Sequence, residues 1–193
     1  LDNQRWLSVP VREAVRVLCV QGQEGAARYV AWALEPGRGE HPRVRPEVRF
    51  ESALLEADLH PYDCIFLCNV ARFSREEAAV LWAYLERGGG LIVTLGDQVQ
   101  ADSYNQQLGG GASGKRVLPA RLEGLAPDAQ YAFDPRDYRH PIVAPFARHE
   151  RSGLLTTPVW RYFRLTPYEK TAAQVALAFQ NGDPALVEER IGR

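Results

Sequence analysis

Gly88-Gly89-Gly90-Leu91-Ile92-Val93-Thr94-Leu95-Gly96-Asp97 is the stretch that decides the fold. Three glycines close the helix before them, because glycine takes the left-handed cap conformation at little steric cost. Leu91 to Leu95 are apolar or β-branched without alternation, the mark of a strand buried on both faces. Gly96 ends that strand, and Asp97 is suited to cap a further helix reaching to about Leu108. A helix stop, a buried strand, a tight turn and a new helix in sequence form the joint of a parallel α/β sheet.

The residues upstream repeat this pattern. Ser74 stands three residues before Glu77, which is a capping box, and Ala78, Leu81, Trp82 and Leu85 form the apolar stripe of the helix it opens. Before it, the segment from Tyr62 to Val70 reads as a buried strand with Cys64-Ile65-Phe66-Leu67-Cys68 at its centre and Asn69 at its end. Earlier still, Val15 to Val20 form an apolar run closed by Gln21-Gly22. Ala27, Val30, Ala31 and Leu34 give a helical stripe, stopped by Pro36, Gly37 and Gly39. Arg38 to Arg45 read as a basic, proline-containing loop, Val48-Arg49-Phe50 as a short strand, and Glu51 to Leu59 as a connector without assigned structure. Residues 1–108 therefore predict a flavodoxin-like, doubly wound, mostly parallel sheet with helices on both faces and right-handed crossovers.

Downstream the pattern changes. Gly109-Gly110-Gly111-Ala112-Ser113-Gly114 is a loop, and Pro119, Pro127, Pro135, Pro141 and Pro145 mark residues 115–150 as mainly loop. Val159 to Leu165 reads as a strand. Gln174 to Gln180 alternates, Asn181-Gly182 is a hairpin signal, and Ala185-Leu186-Val187 begins the return strand. Residues 109–193 thus predict an antiparallel extension at the sheet edge, within one domain spanning 1–193.

Composition narrows the function. The net charge of −1 is spread over interspersed acids and bases with no basic stripe, which excludes nucleic acid as a partner. No window reaches the roughly 20 apolar residues of a membrane span. No signal peptide is visible. The chain opens at Leu1 and has no methionine, which reads as a domain cut from a longer protein. Any membrane association then lies in other parts, and the compartment is left open. Cys19, Cys64 and Cys68 are too few and too odd for a disulfide scaffold. On one strand Cys64 and Cys68 lie about 13 Å apart, too far to bridge. Each reads as a small buried hydrophobe.

The segment Gly88–Asp97, with the strand Tyr62-Asp63-Cys64-Ile65-Phe66-Leu67 and the helix from Ser74 to Arg87, resembles the nucleophile elbow of class I glutamine amidotransferases and the related trehalose-utilisation-like group. The resemblance covers residues 15–108. It implies a cysteine presented at the end of the strand, activated by a helix N-terminus, and a late His-x-Glu pair. Here Leu95 stands at the nucleophile position, with neither a lone pair nor a proton to give. Asp97 replaces a small residue, and His149-Glu150 is adjacent rather than spaced. Asp2-Asn3, the elbow, and His140-Pro141-Ile142 with Phe146 further resemble domains of bacterial membrane-anchored proteins.

Two readings follow. In the first, the domain is a non-catalytic binding or interaction module with an unidentified ligand or protein partner. Its cleft lies at the C-terminal strand ends and includes Gly22, Asn69, Gly96, Asp97 and Gln98, as open α/β sheets place their ligands. In the second, a hydrolase or amidotransferase has relocated its catalytic residues. Cys68 is then the substitute nucleophile, or the loop from Asp134 to His140 contributes. Asp134, Asp137 and His140 fit no compact metal template. Ser103, Ser113 and Ser152 lack a nucleophile-elbow context, and no dinucleotide fingerprint follows a strand, so no metal or cofactor is implied. Trp160, Tyr162 and Phe163 read as a binding face or, more simply, as cross-sheet packing.

Overall fold

The computed structural model describes residues 14–37, 43–110, 114–148 and 153–191. Asp2-Asn3, Ser113, His149-Glu150 and Ser152, singled out in the sequence, lie outside them.

The parallel half is as the sequence predicts. Strand β1 (Val15–Gln21) leads to helix α1 (Arg28–Leu34), β2 (Val44–Phe50), α2 (Ala53–Glu56), β3 (Cys64–Cys68), α3 (Arg75–Glu86), β4 (Gly90–Thr94) and α4 (Ala101–Gln107). The strands form one parallel sheet in the order β2-β1-β3-β4. Val17 pairs with Cys64, and Cys64 with Gly90, so β3 and β4 start level, beside the third residue of β1. Alternate residues of each strand serve opposite faces. Leu18, Val20, Ile65 and Leu67 face the main core with α3 and Tyr104 of α4, while Val17, Cys19 and Cys68 face the smaller cluster under α1.

Three boundaries differ from expectation. β2 begins at Val44, inside the segment read as a basic loop, because an edge strand tolerates Pro46 and exposed arginines. The connector after it contains the single turn α2, which buries Ala53 and Leu54. α4 starts at Ala101 with Gln100 at its N-cap, not at Asp97, whose carboxylate is engaged elsewhere.

The second half is antiparallel, as predicted, but its strands form two separate sheets. β5 (Ala120–Leu125) pairs with β7 (Phe163–Pro167), and β8 (Gln174–Phe179) lies between β6 (Phe133–Asp134) and β9 (Pro184–Glu188). β5 falls in the stretch read as loop. Its buried Ala120 and Leu122 alternate with exposed Arg121 and half-buried Glu123, a period too short to stand out between prolines. Leu122, Phe163 and Leu165 join the main core, which fastens this half to the first. Arg116 Nη2 donates to both carboxylate oxygens of Glu189, each at 2.6 Å, which clasps the chain after β9, and Arg116 also lies over the Tyr168 ring. No helix among the described residues is long and apolar enough to cross a membrane.

Candidate functional site

Asn69 organises the C-terminal end of the sheet. It follows β3 directly and takes a left-handed backbone, φ 51°. Asparagine tolerates that conformation better than most residues, because its short polar side chain bonds locally. The turn aims its side chain across to the residues after β4. The Asn69 amide donates to an Asp97 carboxylate oxygen at 2.7 Å. The Gln98 backbone amide donates back to the Asn69 carbonyl oxygen at 3.0 Å. A Cβ on Gly96 would meet the Asn69 side-chain oxygen at 2.4 Å, so only glycine fits there.

Gly22 closes the other side. Its amide donates to the Cys68 carbonyl at 3.0 Å, and a Cβ there would lie 2.1 Å from the Asn69 backbone oxygen. The β1 and β3 ends are therefore in contact at the point where the strand order reverses, the switch point where doubly wound sheets hold ligands. Gln21, a buried polar residue, accepts from the Gly25 amide at 3.1 Å and shapes the loop beyond. Gly22, Asn69, Gly96, Asp97 and Gln98 thus form one connected surface, with Asp97 and Gln98 exposed. The hydrogen bond from Asn69, foremost, holds the Asp97 carboxyl below the usual carboxylate range, so it is charged at neutral pH.

Leu95 is half-buried and packs against the main core. It is not among the residues with positive φ, so the strained backbone of a nucleophile elbow is absent at that position. Cys68 is fully buried, between Val17, Cys19 and Ala27. Burial pushes its thiol up, against a smaller opposing effect from the Thr94 hydroxyl. Cys19 is pushed up to about 12, again by burial first. Such thiols stay protonated and out of solvent.

The structure disperses Asp134, Asp137 and His140. Asp134 accepts from the Arg136 amide, Asp137 pairs with Arg139, and His140 meets Glu188 at 2.8 Å. Among the described residues no group of three potential ligands could hold a metal ion. Arg136, Asp137 and Tyr138 take left-handed φ values of 50°, 60° and 55° in succession. At about 1–2 kcal/mol each for residues other than glycine, this turn is costly. Of the aromatic trio, Tyr162 stacks on Phe179 with ring centroids 4.0 Å apart, Phe163 packs on the main core, and Trp160 is exposed.

One group escaped the sequence reading. Glu51 follows β2 at the same end of the sheet, and its carboxyl is pushed up by burial, then by Glu77, with Arg72 opposing. No local pattern distinguishes it, because its neighbours come from other elements. A depression of about 200 Å³ lined by His60, Asp63, Tyr84 and Arg87 lies at the opposite, N-terminal end of the strands. That end is not where parallel sheets place their chemistry.

No protein-family model matches the chain. No curated protein matches it either. Among solved structures it is similar to a ThuA-like protein from Bacteroides uniformis, with a TM-score of 0.57 and 12% identity over 97% of this chain and 78% of that one. ThuA-like proteins have the class I amidotransferase-like fold, so the likeness supports this fold and, at that identity, nothing finer. A β-galactosidase from Bifidobacterium adolescentis aligns over 87% of this chain and 77% of that one, at 12% identity and a TM-score of 0.29, too low to carry an argument.

Proposed function

We propose that this chain is a non-catalytic binding module that keeps the class I amidotransferase-like fold without its thiol chemistry. The observation that carries the reading is the Asn69–Asp97–Gln98 knot at the strand ends. The segment that would carry a nucleophile is occupied instead by a packed leucine and an exposed, ionised carboxylate. A rigid turn displaying a carboxylate and the exposed Gln98 side chain, whose amide oxygen is an acceptor, suits a ligand rich in hydroxyl or ammonium donors, whether a small molecule or a partner's side chains.

We further propose that the module belongs to a larger, membrane-associated bacterial protein. This rests on the resemblance carried by the elbow and by His140-Pro141-Ile142 with Phe146. Separation of membrane and soluble fractions of cells making the full-length protein tests it, and recovery in the soluble fraction alone contradicts it. The alternative, an enzyme with relocated residues, would need buried Cys68 to become accessible, or Asp134, Asp137 and His140, each engaged with a different partner, to converge on one point.

Amide chemical-shift mapping tests the binding site directly. Titration with a panel of polyols and amines is expected to move Gly22, Asn69, Gly96, Asp97 and Gln98 together. An Asp97→Asn variant is expected to lose the response. Shifts that cluster elsewhere, or that persist in Asp97→Asn, contradict the assignment.

A further inference from the structure

Gln21 ends β1 at the C-terminal edge of the sheet and is 8% exposed. Its side-chain oxygen accepts from the Gly25 amide at 3.1 Å, which fixes the other end of the carboxamide as the nitrogen. That nitrogen carries two N–H donors and meets no acceptor among the described residues. A buried polar group is ordinarily satisfied. This one is not sealed in either. Among the described residues, the side-chain nitrogen or oxygen that is both buried and unpartnered is Trp82 Nε1. The Gln21 nitrogen therefore opens on the surface at the strand ends, on a side chain anchored through its oxygen.

Gln21 pairs in register with Phe50 on one side and Cys68 on the other, so the three side chains share the α1 face of the sheet. Cys68 is buried, but Phe50 is 55% exposed. Toward β4, Gly22 brings the β1 end against Asn69, which holds Asp97. Along the order β2-β1-β3-β4, the strand ends thus present an apolar ring, a pair of donors and a carboxylate. β1 and β4 lie two strand spacings, about 10 Å, apart. Glu24, in the loop after Gly22, is exposed and adds to the negative charge of Asp97. Arg28 lies over the Tyr29 and Trp32 rings. A ligand carboxylate at the Gln21 donors is therefore disfavoured by like charge, and a neutral carbonyl oxygen is not.

We propose that Gln21 is a specificity-determining residue of the cleft and that the ligand is an N-acylated amine. The ammonium lies at Asp97, the carbonyl oxygen accepts from Gln21, and the acyl group covers Phe50. This inference rests on the reading of the Asn69–Asp97–Gln98 knot as a binding site and names the ligand class for it. A simple amine uses only Asp97. A polyol gives Gln21 an acceptor but brings nothing apolar to Phe50.

N-acetylputrescine carries the whole pattern, and butylamine lacks the carbonyl and the acyl group. Each is titrated into the isotope-labelled whole chain and followed by NMR. With N-acetylputrescine the Gln21 side-chain amide and the Asp97 backbone amide are expected to shift together. With butylamine only Asp97 is expected to respond. N-acetylputrescine is expected to bind about tenfold more tightly, as one added hydrogen bond contributes. Gln21→Glu keeps an acceptor for the Gly25 amide and replaces the two donors with a carboxylate oxygen. Its added charge acts on both amines, so the tenfold preference is expected to vanish. Should that variant fail to fold, the wild-type titrations decide alone. A Gln21 side chain that stays silent while Asp97 responds overturns the proposal and leaves the knot as a binding site. Silence at both residues overturns the reading of the knot as well. A preference that survives Gln21→Glu also overturns the proposal.

Discussion

Asn69 joins three chain segments through one side chain and its backbone. Its amide holds Asp97, its carbonyl holds Gln98, and its backbone oxygen sits against Gly22. Replacing it with alanine removes both side-chain bonds and leaves a left-handed backbone without the residue that tolerates it. The expected loss is about 1–3 kcal/mol in a denaturant titration. Asn69→Gly is expected to lose less than Asn69→Ala, because glycine accepts the positive φ. In either variant the Asp97 carboxyl should titrate at a higher pH than in the wild type, as read by side-chain NMR. Equal losses for the two variants would mean that the backbone conformation is not strained. That Gly22, Asn69, Gly96 and Asp97 lie together was legible because glycine, asparagine and aspartate stand where strands end. The role of Asn69 as their hub was not. Its partners lie far along the chain, and no local spacing announces them.

The elements that local chemistry defines were the most legible. The capping box of α3 forms as read, with the Ser74 hydroxyl accepting from the Glu77 amide at 3.1 Å and the Glu77 carboxylate accepting from the Ser74 amide at 2.7 Å. Ser74→Ala is expected to cost about 1 kcal/mol of stability, measured by chemical denaturation, and a change near zero would contradict the cap. α4 was read too long at its start. Asp97 looks like a helix cap in sequence, but a carboxylate held by Asn69 is not available to cap a helix. The first half of β2, and all of β5, were hidden for a different reason. An edge strand carries proline and arginine, and a short strand between prolines shows too few alternations to count.

At the scale of the whole molecule, acid stability follows from shifted carboxyls of opposite sign. Asp97 is held low by Asn69, and Glu47 is held low by the Tyr62 hydroxyl. A depressed carboxyl stabilises the folded state above its unfolded value, about 4, and that contribution fades as the pH falls through the folded value. Glu51 is raised, by burial first. A raised carboxyl weakens the folded state once the pH exceeds both values. Glu51→Gln is therefore expected to raise the thermal midpoint at pH 7, with the gain shrinking as the pH falls through the raised folded value and gone below the unfolded value of about 4. A variant less stable than the wild type at pH 7 would contradict this. The fold was read from its parallel half because β1, β3, α3 and β4 there carry their own start and stop. The candidate site was legible only as a group of residues at the strand ends, since the contacts between them come from separate segments of the chain. The central claim is that this fold carries a binding turn in place of a reactive thiol. Ammonia release from glutamine is its most direct measurement, with the wild-type chain and Cys68→Ala assayed side by side. The account predicts no release above buffer from either. Turnover by the wild type that disappears in Cys68→Ala would contradict it.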